Sequence, residues 1–434
     1  MTRGLRFIAS GEHAFGPIAR WRDPGNGPAE IADLGRHAEY AKWAESVGFD
    51  ALFYADFLGF DPVRHQSPRL PFEPLSLTAA LLGHTEHLGF ITTASTTFGT
   101  PYAVARTLAS LDRLSAGRVA WNVVTSFTGE ANFGIDTLPP PGERYARAQE
   151  FLDVVAALWA SFPESAVIDD KAHGRYVDTA RVRPIDHVGA HFSVRGPLDV
   201  PGPPPGRPVL VQAGASPEGI AFAARNADVV FVAAPDLEQA VQFTARLRQE
   251  VEDAGRGPDE VLVFPGFRAF LGVDDDDARR VRSRHVTPDL LEKARRAVLR
   301  ESDAFRFTDL PLDEPIPAAH LPSDAELEAS NRRRSRAQIY LRWAREPGAT
   351  LRSVLERISL EHGHFALTAA PQTVADELER WYVAGVADGF MVNYGSGIAG
   401  FADEVLPILA ERGLWKPDTD GDLRSRLGLP PRRR

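Results

Sequence analysis

Short apolar runs alternate with amphipathic stretches along most of this chain. The apolar runs are rich in Val, Ile, Leu and Phe without a polar face, the pattern of strands that are buried on both sides. The amphipathic stretches repeat their apolar residues every three or four positions, as helices on a sheet do. We predict strands at Leu5–Ala9, Ala51–Tyr54, Leu88–Thr93, Arg118–Val124, Pro208–Gln212, Val229–Val232, Val261–Phe270 and Phe390–Asn393.

Helical patterns follow most of these strands, which is typical of βα units on a parallel sheet. Eight such strands are the number that closes a TIM (β/α)8 barrel. The chain therefore predicts an α/β fold with one barrel domain over residues 1–434. The predicted helices are Ile31–Ser46, Pro74–His84, Tyr102–Leu114, Tyr145–Phe162, Glu218–Asn226, Leu237–Ala254, Thr373–Ala384 and Ala402–Arg412.

Two long stretches interrupt this rhythm and are interpreted as insertions in the barrel. Residues 167–207 are rich in Gly, Pro, His and Asp, and they predict a long loop with a small hairpin. Residues 274–350 are highly charged, with a proline-rich hinge at Pro311–Pro322. Loops of this length in a barrel are usually lids or substrate walls. Residues 415–434 are predicted to be a C-terminal tail whose closing PPRRR is solvated.

Composition narrows the class of protein. The 434 residues are 44% hydrophobic and 25% charged, values that are ordinary for a soluble globular protein. The absence of cysteine excludes disulfides, thiolate metal sites and a cysteine nucleophile. A formal net charge of −10 argues against a nucleic-acid surface. Without an apolar run of membrane-spanning length or a signal-peptide core, the expected location is the cytoplasm and no membrane contact is expected.

The segment Pro208–Arg225, PVLVQAGASPEGIAFAAR, is the most informative stretch. An apolar strand runs through a turn of small residues directly into a helix, with Ser216 at the N-cap position and Pro217 at the first helical position. Backbone N–H groups and one hydroxyl can converge there on an anion such as a phosphate. An ordinary tight turn between a strand and a helix is the alternative interpretation.

In an α/β barrel the active site forms where the strands end. The predicted strand ends carry small residues and hydrogen-bonding groups with few charges, a set that suits a polar, planar ligand with one phosphate. These residues are Ser10, Gly11, Glu12 and His13; Asp56; Thr93, Ala94, Ser95, Thr96 and Thr97; Asn122, Thr125 and Ser126; Gly214, Ala215 and Ser216; and Asn393, Tyr394 and Gly395.

Metal and serine-hydrolase chemistry are poorly supported. His187 and His191 stand four residues apart, but Pro184 and Gly189 interrupt any helix that would align them, so a metal pair is not expected. The acidic run Asp274–Asp277 is interpreted as a solvated helix start. No GxSxG nucleophile elbow occurs.

A second cluster, Glu143-Arg144-Tyr145, stands at the start of a long predicted helix. Arg144 could neutralise a phosphate and Tyr145 could hydrogen-bond to it. From the residues alone, an ordinary helix start with an exposed arginine and a half-buried tyrosine is the favoured alternative.

Several motifs in order along the chain resemble the bacterial-luciferase-like flavin monooxygenases, in their nitrilotriacetate and dibenzothiophene-sulfone monooxygenase branch. The resemblance extends from near residue 50 to about residue 425 and is highly specific. The motifs are ALFYAD (Ala51–Asp56), TTASTTFGTPYAVAR (Thr92–Arg106), GRVAWNVVTS (Gly117–Ser126), NFG (Asn132–Gly134), ERYARAQEF (Glu143–Phe151), PIDHVGAHFSVRGPL (Pro184–Leu198), PVLVQAGAS (Pro208–Ser216) and PQTVADELERWYVAGVADGF (Pro371–Phe390).

The resemblance implies a TIM barrel that binds reduced FMN supplied by a separate NAD(P)H:flavin reductase. With O2 as co-substrate, such an enzyme oxygenates a small organic substrate, by cleaving a C–N or C–S bond or oxidising a heteroatom. The oxygen chemistry belongs to the flavin, while the protein places it and excludes water. The chain itself carries no dinucleotide-binding fingerprint, which fits a partner reductase. A homodimer or homotetramer is expected.

The resemblance also implies roles for individual residues. Asp56 and Thr93, with Ala94 beside Thr93, would face the isoalloxazine edge, and Asn122 would lie beneath the ring. The backbone of Gly214, Ala215 and Ser216 and the Ser216 hydroxyl would hold the phosphate, assisted by Tyr145. His13 is the candidate for a catalytic base that faces substrate or peroxide, and a surface-loop histidine is the equal alternative.

The chain departs from the family before ERY, where Pro141 and Gly142 replace the usual histidine and aspartate. Proline offers neither a donor nor a charge, so the flavin contact of that histidine is lost. Two other functions therefore stay open: a flavin- or deazaflavin-dependent oxidoreductase on the same fold, and a flavin-binding protein without turnover. The substrate is not identified by sequence; Arg332–Arg336 could favour an anionic one, although a solvated helix is the favoured interpretation.

Overall fold

The computed structural model describes residues 4–13, 25–62, 65, 68–204, 208–302, 304–329, 334–393 and 397–431. Its strands are β1 (Arg6–Ser10), β2 (Ala51–Tyr54), β3 (Gly89–Ser95), β4 (Val119–Val124), β5 (Val167–Asp170), β6 (Arg175–Val177), β7 (His187–Val188), β8 (Ser193–Val194), β9 (Val209–Ala213), β10 (Val229–Val232), β11 (Leu262–Leu271), β12 (Phe365–Ala369) and β13 (Gly389–Val392).

The described helices mostly follow the strands. They are α1 (Pro28–Ile31), α2 (Leu34–Ser46), α3 (Pro74–Leu81), α4 (Pro101–Ser115), α5 (Pro141–Ser161), α6 (Pro217–Asn226), α7 (Leu237–Asp253), α8 (Asp275–Ser283), α9 (Pro288–Glu301), α10 (Asp324–Glu328), α11 (Arg334–Ala344), α12 (Leu351–Glu361), α13 (Pro371–Val383), α14 (Ile398–Glu404), α15 (Leu406–Glu411) and α16 (Leu423–Arg426). None of them combines the length and the apolar character that crossing a bilayer requires.

Eight parallel strands close into a barrel in the order β1, β2, β3, β4, β9, β10, β11, β13 and back to β1. The predicted TIM barrel is therefore confirmed, and each of its strands overlaps a predicted one. Strand β12 was not predicted; it pairs with the outer half of the long strand β11, from Phe267 to Leu271. Its sequence, FALTA, carries too short an apolar run to stand out as a buried strand.

The barrel interior is filled by alternate residues from every barrel strand. Ile8, Ile91, Val211 and Phe264 belong to one buried cluster there, and the residues between them face the surrounding helices. The period of two along a strand explains this division. It also sets which strand-end side chains can turn into the barrel mouth.

Both insertions have structure of their own. Residues 167–207 contain two antiparallel hairpins, β5–β6 and β7–β8. Residues 274–350 carry α8 to α11, and α9, α10 and α11 pack with α12 around a separate apolar core that includes Phe307 and Trp343. This core holds the second insertion as a wall over the barrel mouth.

Part of the segment predicted as a C-terminal tail is packed against the barrel, while Pro431, in the closing PPRRR, is exposed. Leu423, Leu427 and Leu429 are buried in the interior cluster of the barrel. The backbone N–H of Leu423 donates to the carbonyl of Gly117, which precedes β4, so the segment covers the amino-terminal end of the barrel. The terminal arginines 432–434 lie outside the described residues.

Some predicted helix limits were wrong for local reasons. The helix predicted at Tyr145 begins at Pro141, because a proline fits the first helical position and its fixed φ favours helix there. The predicted helix Ile31–Ser46 is two helices, since the Asp33 side chain caps a new start by accepting from the Gly35 N–H. The last predicted helix begins at Ile398 and is broken at Val405.

Candidate active site

A cavity of about 1070 Å³ opens at the carboxyl ends of the barrel strands. Its described lining includes strand-end residues from around the barrel, among them Ser10, Asp56, Thr93, Asn122 and Asn393. The walls above them come from α5, from the turn after β9 and from the second insertion. Of the predicted site residues, the cavity brings together Asp56, Thr93, Asn122, Tyr145, Gly214, Ala215 and Ser216.

Thr93 and Asn122 lie side by side on β3 and β4 and are both buried. The Thr93 hydroxyl donates to the carbonyl of Tyr54 at 2.8 Å, and a carbonyl can only accept. Its oxygen is therefore free only to accept from the Asn122 amide Nδ2, 2.9 Å away. These two hydrogen bonds fix the orientation of the Asn122 side-chain amide, because Nδ2 must be the atom that faces Thr93. Asn122 Oδ1 is then a buried acceptor for which no donor exists among the described residues.

Gln212 is a site residue that the sequence analysis placed in the turn without assigning it a role. It is buried at the end of β9, its Nε2 donates to the Ala213 carbonyl at 3.1 Å, and its Oε1 has no donor within the described ranges. Alternation along β9 points Gln212 away from the barrel interior, toward Tyr145 and Gly214. The signal for Gln212 in the sequence was that a single polar residue ends the apolar run Val209–Val211.

The turn Gly214–Ser216 leads directly into α6. Ser216 is the N-cap: its backbone is extended and its Oγ accepts from the Gly219 N–H at 3.1 Å. A Cβ on Gly214 would come within 2.9 Å of Gln212 Nε2, and one on Gly219 would lie 2.9 Å from the Tyr145 Oη. The two glycines thus let three polar side chains gather at the start of a helix.

Tyr145 is half-buried on α5 and packs against Phe222, with ring centroids 5.5 Å apart. Its hydroxyl hydrogen-bonds with Thr125 and Ser216. Burial raises the pKa of Tyr145, and these two hydrogen bonds oppose the rise only in part. The hydroxyl therefore stays protonated and can donate.

Arg144 is not the exposed arginine of an ordinary helix start. It is 6% exposed, and its Nη1 donates to the backbone carbonyl of Ser126 and, at 3.4 Å, to that of Thr125. The guanidinium thus ties the start of α5 to the loop after β4 and places a positive charge in the cavity wall. The favoured alternative for Glu143-Arg144-Tyr145, an ordinary helix start with an exposed arginine, was therefore wrong for Arg144.

A charged pair stands next to the turn. Glu218, on the first turn of α6, lies 3.3 Å from the guanidinium of Arg334 on α11. Burial acts to raise the pKa of Glu218, but hydrogen bonds from its own backbone, from Ser216 and from Arg334 lower it overall. Arg334 therefore links the second insertion to the turn at the barrel mouth.

Asp56 follows β2 and lines the same cavity. Burial raises its pKa, and the negative charge of Glu73 raises it further, against a hydrogen bond from the Phe57 backbone. Asp56 therefore holds its proton to higher pH than an ordinary aspartate.

Two predicted site residues are not placed at the cavity. Ala94 faces away from the barrel, because it alternates with Thr93 on β3, and its carbonyl accepts from the buried Trp121 indole at 3.1 Å. His13 ends a short 3-10 helix, Gly11–His13, and its side chain is outside the described part of the chain. Tyr394 and Gly395 also lie outside the described residues.

The two histidines of the first insertion both contact one carboxylate, that of Glu150. His187 lies on β7 with its Nε2 3.0 Å from Glu150 Oε1, and the backbone N–H of His191 donates to the other oxygen of the same carboxylate. Nowhere in the described ranges do three or more His, Asp or Glu side chains come together as a metal site would require.

Comparison with known proteins supplies a second, independent line of information. Residues 14–388 match the family described as luciferase-like monooxygenase. Nitrilotriacetate monooxygenase component A of Aminobacter aminovorans is 36% identical, with 99% of this chain and 96% of that protein covered. Dibenzothiophene-sulfone monooxygenase of Rhodococcus erythropolis is 37% identical, with 90% and 88% covered.

The fold has close solved counterparts. The crystal structure of a riboflavin lyase with modified FMN and its substrate riboflavin superposes with a TM-score of 0.82 at 27% identity, covering 98% of this chain and 96% of that one. The likeness extends over barrel and insertions alike, since almost the whole of both chains is covered.

Proposed function

The chain belongs to the luciferase-like monooxygenase family and is a flavin-dependent monooxygenase, and we propose that it binds reduced FMN in the cavity at the barrel mouth and, with O2, oxygenates a small organic substrate there. The observation that carries this proposal is the shared cavity. One side of it has a turn built for an anion, and its floor has a buried acceptor that calls for an N–H donor.

The phosphate of FMN would be held at the turn Gly214–Ser216. Backbone N–H groups at the start of α6, the Ser216 hydroxyl and the protonated Tyr145 hydroxyl are all donors, and a helix start favours negative charge. Arg144 lies in the same cavity wall and adds to that preference, whereas the charge of Arg334 is paired with Glu218. Gln212 Oε1, which has no donor within the described ranges, suits a hydroxyl of the ribityl chain.

The isoalloxazine would lie against Asp56, Thr93 and Asn122. Reduction adds an N–H donor at N5 of the ring, and the two hydrogen bonds described above present Asn122 only as an acceptor toward the cavity. With N5 of the ring against Asn122, this fixed acceptor would favour the reduced flavin, because the oxidised ring has no N–H at that atom. When bound, reduced flavin supplies the electrons that activate O2; the chain's residues bind it, orient it and exclude water.

Pro141 lines the cavity where the family has a histidine. Because Pro141 starts α5, the contact of that histidine is replaced by a rigid helix start that positions Arg144 and Tyr145. A separate NAD(P)H:flavin reductase would supply the reduced FMN, since the chain has no dinucleotide-binding fingerprint of its own. His13 stays the proposed base.

Anaerobic titration of the purified protein with reduced and with oxidised FMN tests this function. We expect the reduced form to bind more tightly, and oxygen consumption by the protein to require an added flavin reductase. Binding of neither form would contradict the proposal. Equal affinity for the two forms would remove the role given to Asn122.

A further inference from the structure

The cavity is larger than one flavin site needs. Its volume of about 1070 Å³ lies at the top of the range of small-molecule sites, about 300–1000 Å³. The barrel order places β11 four strands from β3, that is, across the mouth from Thr93. The half of the cavity on the β11 side is lined by Arg268 and, above it, by α11 and the turn after α12.

Positive charge is concentrated in this cavity. Its described lining includes seven arginines and one lysine, against the carboxylates of Glu12 and Asp56. The chain as a whole has a formal net charge of −10, so the lining has the opposite charge balance to the chain. A surface of this kind concentrates and orients anions.

Four of these cations are in ion pairs. Arg69 lies 3.6 Å from Glu12, Arg334 lies 3.3 Å from Glu218, and Lys293 lies 3.0 Å from Asp289. Arg342 pairs with Asp236. Because each of these four cations has a carboxylate partner within the protein, none of them needs a bound anion to balance its charge.

Arg336 and the exposed Arg246 have no ion pair among the described residues. Of these two, only Arg336 has a buried nitrogen, Nη1, without a hydrogen-bond partner there. Glu361, near the end of α12, is shared between Arg282 at 2.7 Å and Arg357 at 3.3 Å. Arg336 as a whole is half-buried, so its charge is only partly solvated and its Nη1 hydrogen bonds are unmade, both of which an anion would satisfy.

The position of Arg336 on its helix points the same way. It is the third residue of α11, and the positive end of a helix dipole disfavours a cation in the first turn. Its side chain lies against the backbone of Gly363, since a Cβ there would meet Arg336 Nη1 at 3.1 Å. Arg334, by contrast, reaches the phosphate turn. The two arginines thus serve different parts of the cavity.

We propose that the substrate of this enzyme carries a carboxylate and that Arg336 is the specificity-determining residue that binds it, on the β11 side of the cavity. This rests on the proposed function only in taking the opposite half for FMN. The planar guanidinium matches a carboxylate with two parallel hydrogen bonds, which favours a carboxylate over a neutral polar group.

The test compares acids with their amides as ligands of the FMN-loaded protein. Calorimetric titrations with nitrilotriacetate and succinate, and with their neutral amides, are run in a buffer free of other carboxylates and of phosphate. We expect at least one acid to bind about 10- to 100-fold more tightly than its amide. In Arg336→Gln this preference is lost, and in Arg336→Lys it is largely kept.

Controls separate this inference from the proposed function. Arg296→Gln removes an exposed arginine of the same insertion that pairs with Glu292, and it is expected to leave the acid preference unchanged. FMN affinity, read from flavin fluorescence in the same samples, is expected to be the same in all variants. If FMN binds and no acid is preferred, or if Arg336→Gln keeps the preference, Arg336 does not read a carboxylate. If Arg336→Gln weakens FMN itself, the arginine belongs to the flavin site instead.

Discussion

The two ends of the barrel differ in what their buried polar groups face. At the amino-terminal end, the segment from Leu423 to Leu429 covers charged side chains, most of them paired or bonded to backbone, although Arg426 Nε and Nη2 are buried there without a partner within the described ranges. At the carboxyl end, Asn122 Oδ1 and Gln212 Oε1 are buried without a donor within the described ranges, beside an open cavity. The first end is closed by the chain itself, whereas the unpartnered acceptors of the second lie beside a cavity that a ligand can enter.

One device recurs at the amino-terminal end. Asp50, Asp228 and Asp388 each stand directly before a barrel strand, and each accepts from the first part of the adjacent strand. The donors are the backbone N–H groups of Phe7, Leu210 and Val263, at 2.7, 2.8 and 2.8 Å. Asp228 is also paired with Arg424 of the covering segment at 3.0 Å, so the covering segment is locked by charge as well as by leucines.

Asp228→Ala should give the largest effect, a loss of unfolding free energy that arises at the amino-terminal end of the barrel alone. It leaves Arg424, whose side chain is 7% exposed, as an uncompensated buried charge. We expect a loss of about 3–5 kcal/mol in the unfolding free energy, measured by denaturant titration. FMN affinity of the folded protein should stay within about twofold, because the sites are far apart.

Asp199→Ala is the matched control, since its ion pair with Arg106 is similarly short, at 2.8 Å against 3.0 Å for Asp228 and Arg424, but is half exposed. Its loss should not exceed about 1 kcal/mol. Equal losses of unfolding free energy in the two variants would show that burying the pair of Asp228 and Arg424 does not increase its contribution to stability.

Gly219→Ala should act on the ligand end alone. The new Cβ would lie 2.9 Å from Tyr145 Oη and 3.2 Å from Ser216 Oγ, so both hydroxyls must move. We expect FMN affinity to fall about tenfold, as for the loss of a charge-assisted hydrogen bond. The unfolding free energy should not fall, because alanine favours a helix over glycine by up to about 1 kcal/mol.

Gly400→Ala controls for the helix effect. Gly400 is also the third residue of its helix, but a Cβ there makes only ordinary contacts, at 3.6 Å. It should match any gain in stability without a change in FMN affinity. If Gly219→Ala loses stability while binding FMN normally, the turn is merely structural.

The smallest effect concerns pH at the amino-terminal end of the barrel. Burial raises the pKa of Asp50 to about 6, against the Arg6 charge and the hydrogen bond from Phe7. A group whose pKa is raised by folding stabilises the protein fully below its unfolded pKa, and this contribution is lost as pH rises through the folded value. Relative to Asp50→Asn, the wild type should therefore lose stability between about pH 4 and about pH 6.

The readout is the difference in unfolding free energy between the two proteins at each pH. A difference that does not change with pH, or that grows in favour of the wild type as pH rises, would show that Asp50 is not held protonated by burial.

The barrel was predictable because its strands are buried on both faces, and uninterrupted apolar runs such as VVFV at β10 leave few alternatives. The strand-end rule likewise led to Asp56, Thr93 and Asn122. The rule could not predict which of two neighbouring side chains points into the barrel. Ala94 and Thr93 are adjacent in sequence, and only the pairing of β3 with β4 decides which of them faces the barrel.

Other features depend on contacts between distant segments. Arg144 was expected to be exposed, because its carbonyl partners lie on the loop after another strand. The last residues read as a tail, since the leucines that fill the barrel end stand among charged and proline residues. In the sequence, Arg336 is one member of the run Arg332–Arg336 and has no feature that sets it apart. It lacks a carboxylate partner only because of how α11 and α12 pack together.

The most direct measurement compares the reduced forms of FMN and riboflavin as ligands of the wild-type protein, by anaerobic titration. The two differ only in the phosphate, which the turn Gly214–Ser216 and Tyr145 are proposed to hold. Two or more charge-assisted hydrogen bonds predict that FMN binds about 100-fold or more tightly than riboflavin. Affinities within about threefold of each other would mean that the turn holds no phosphate.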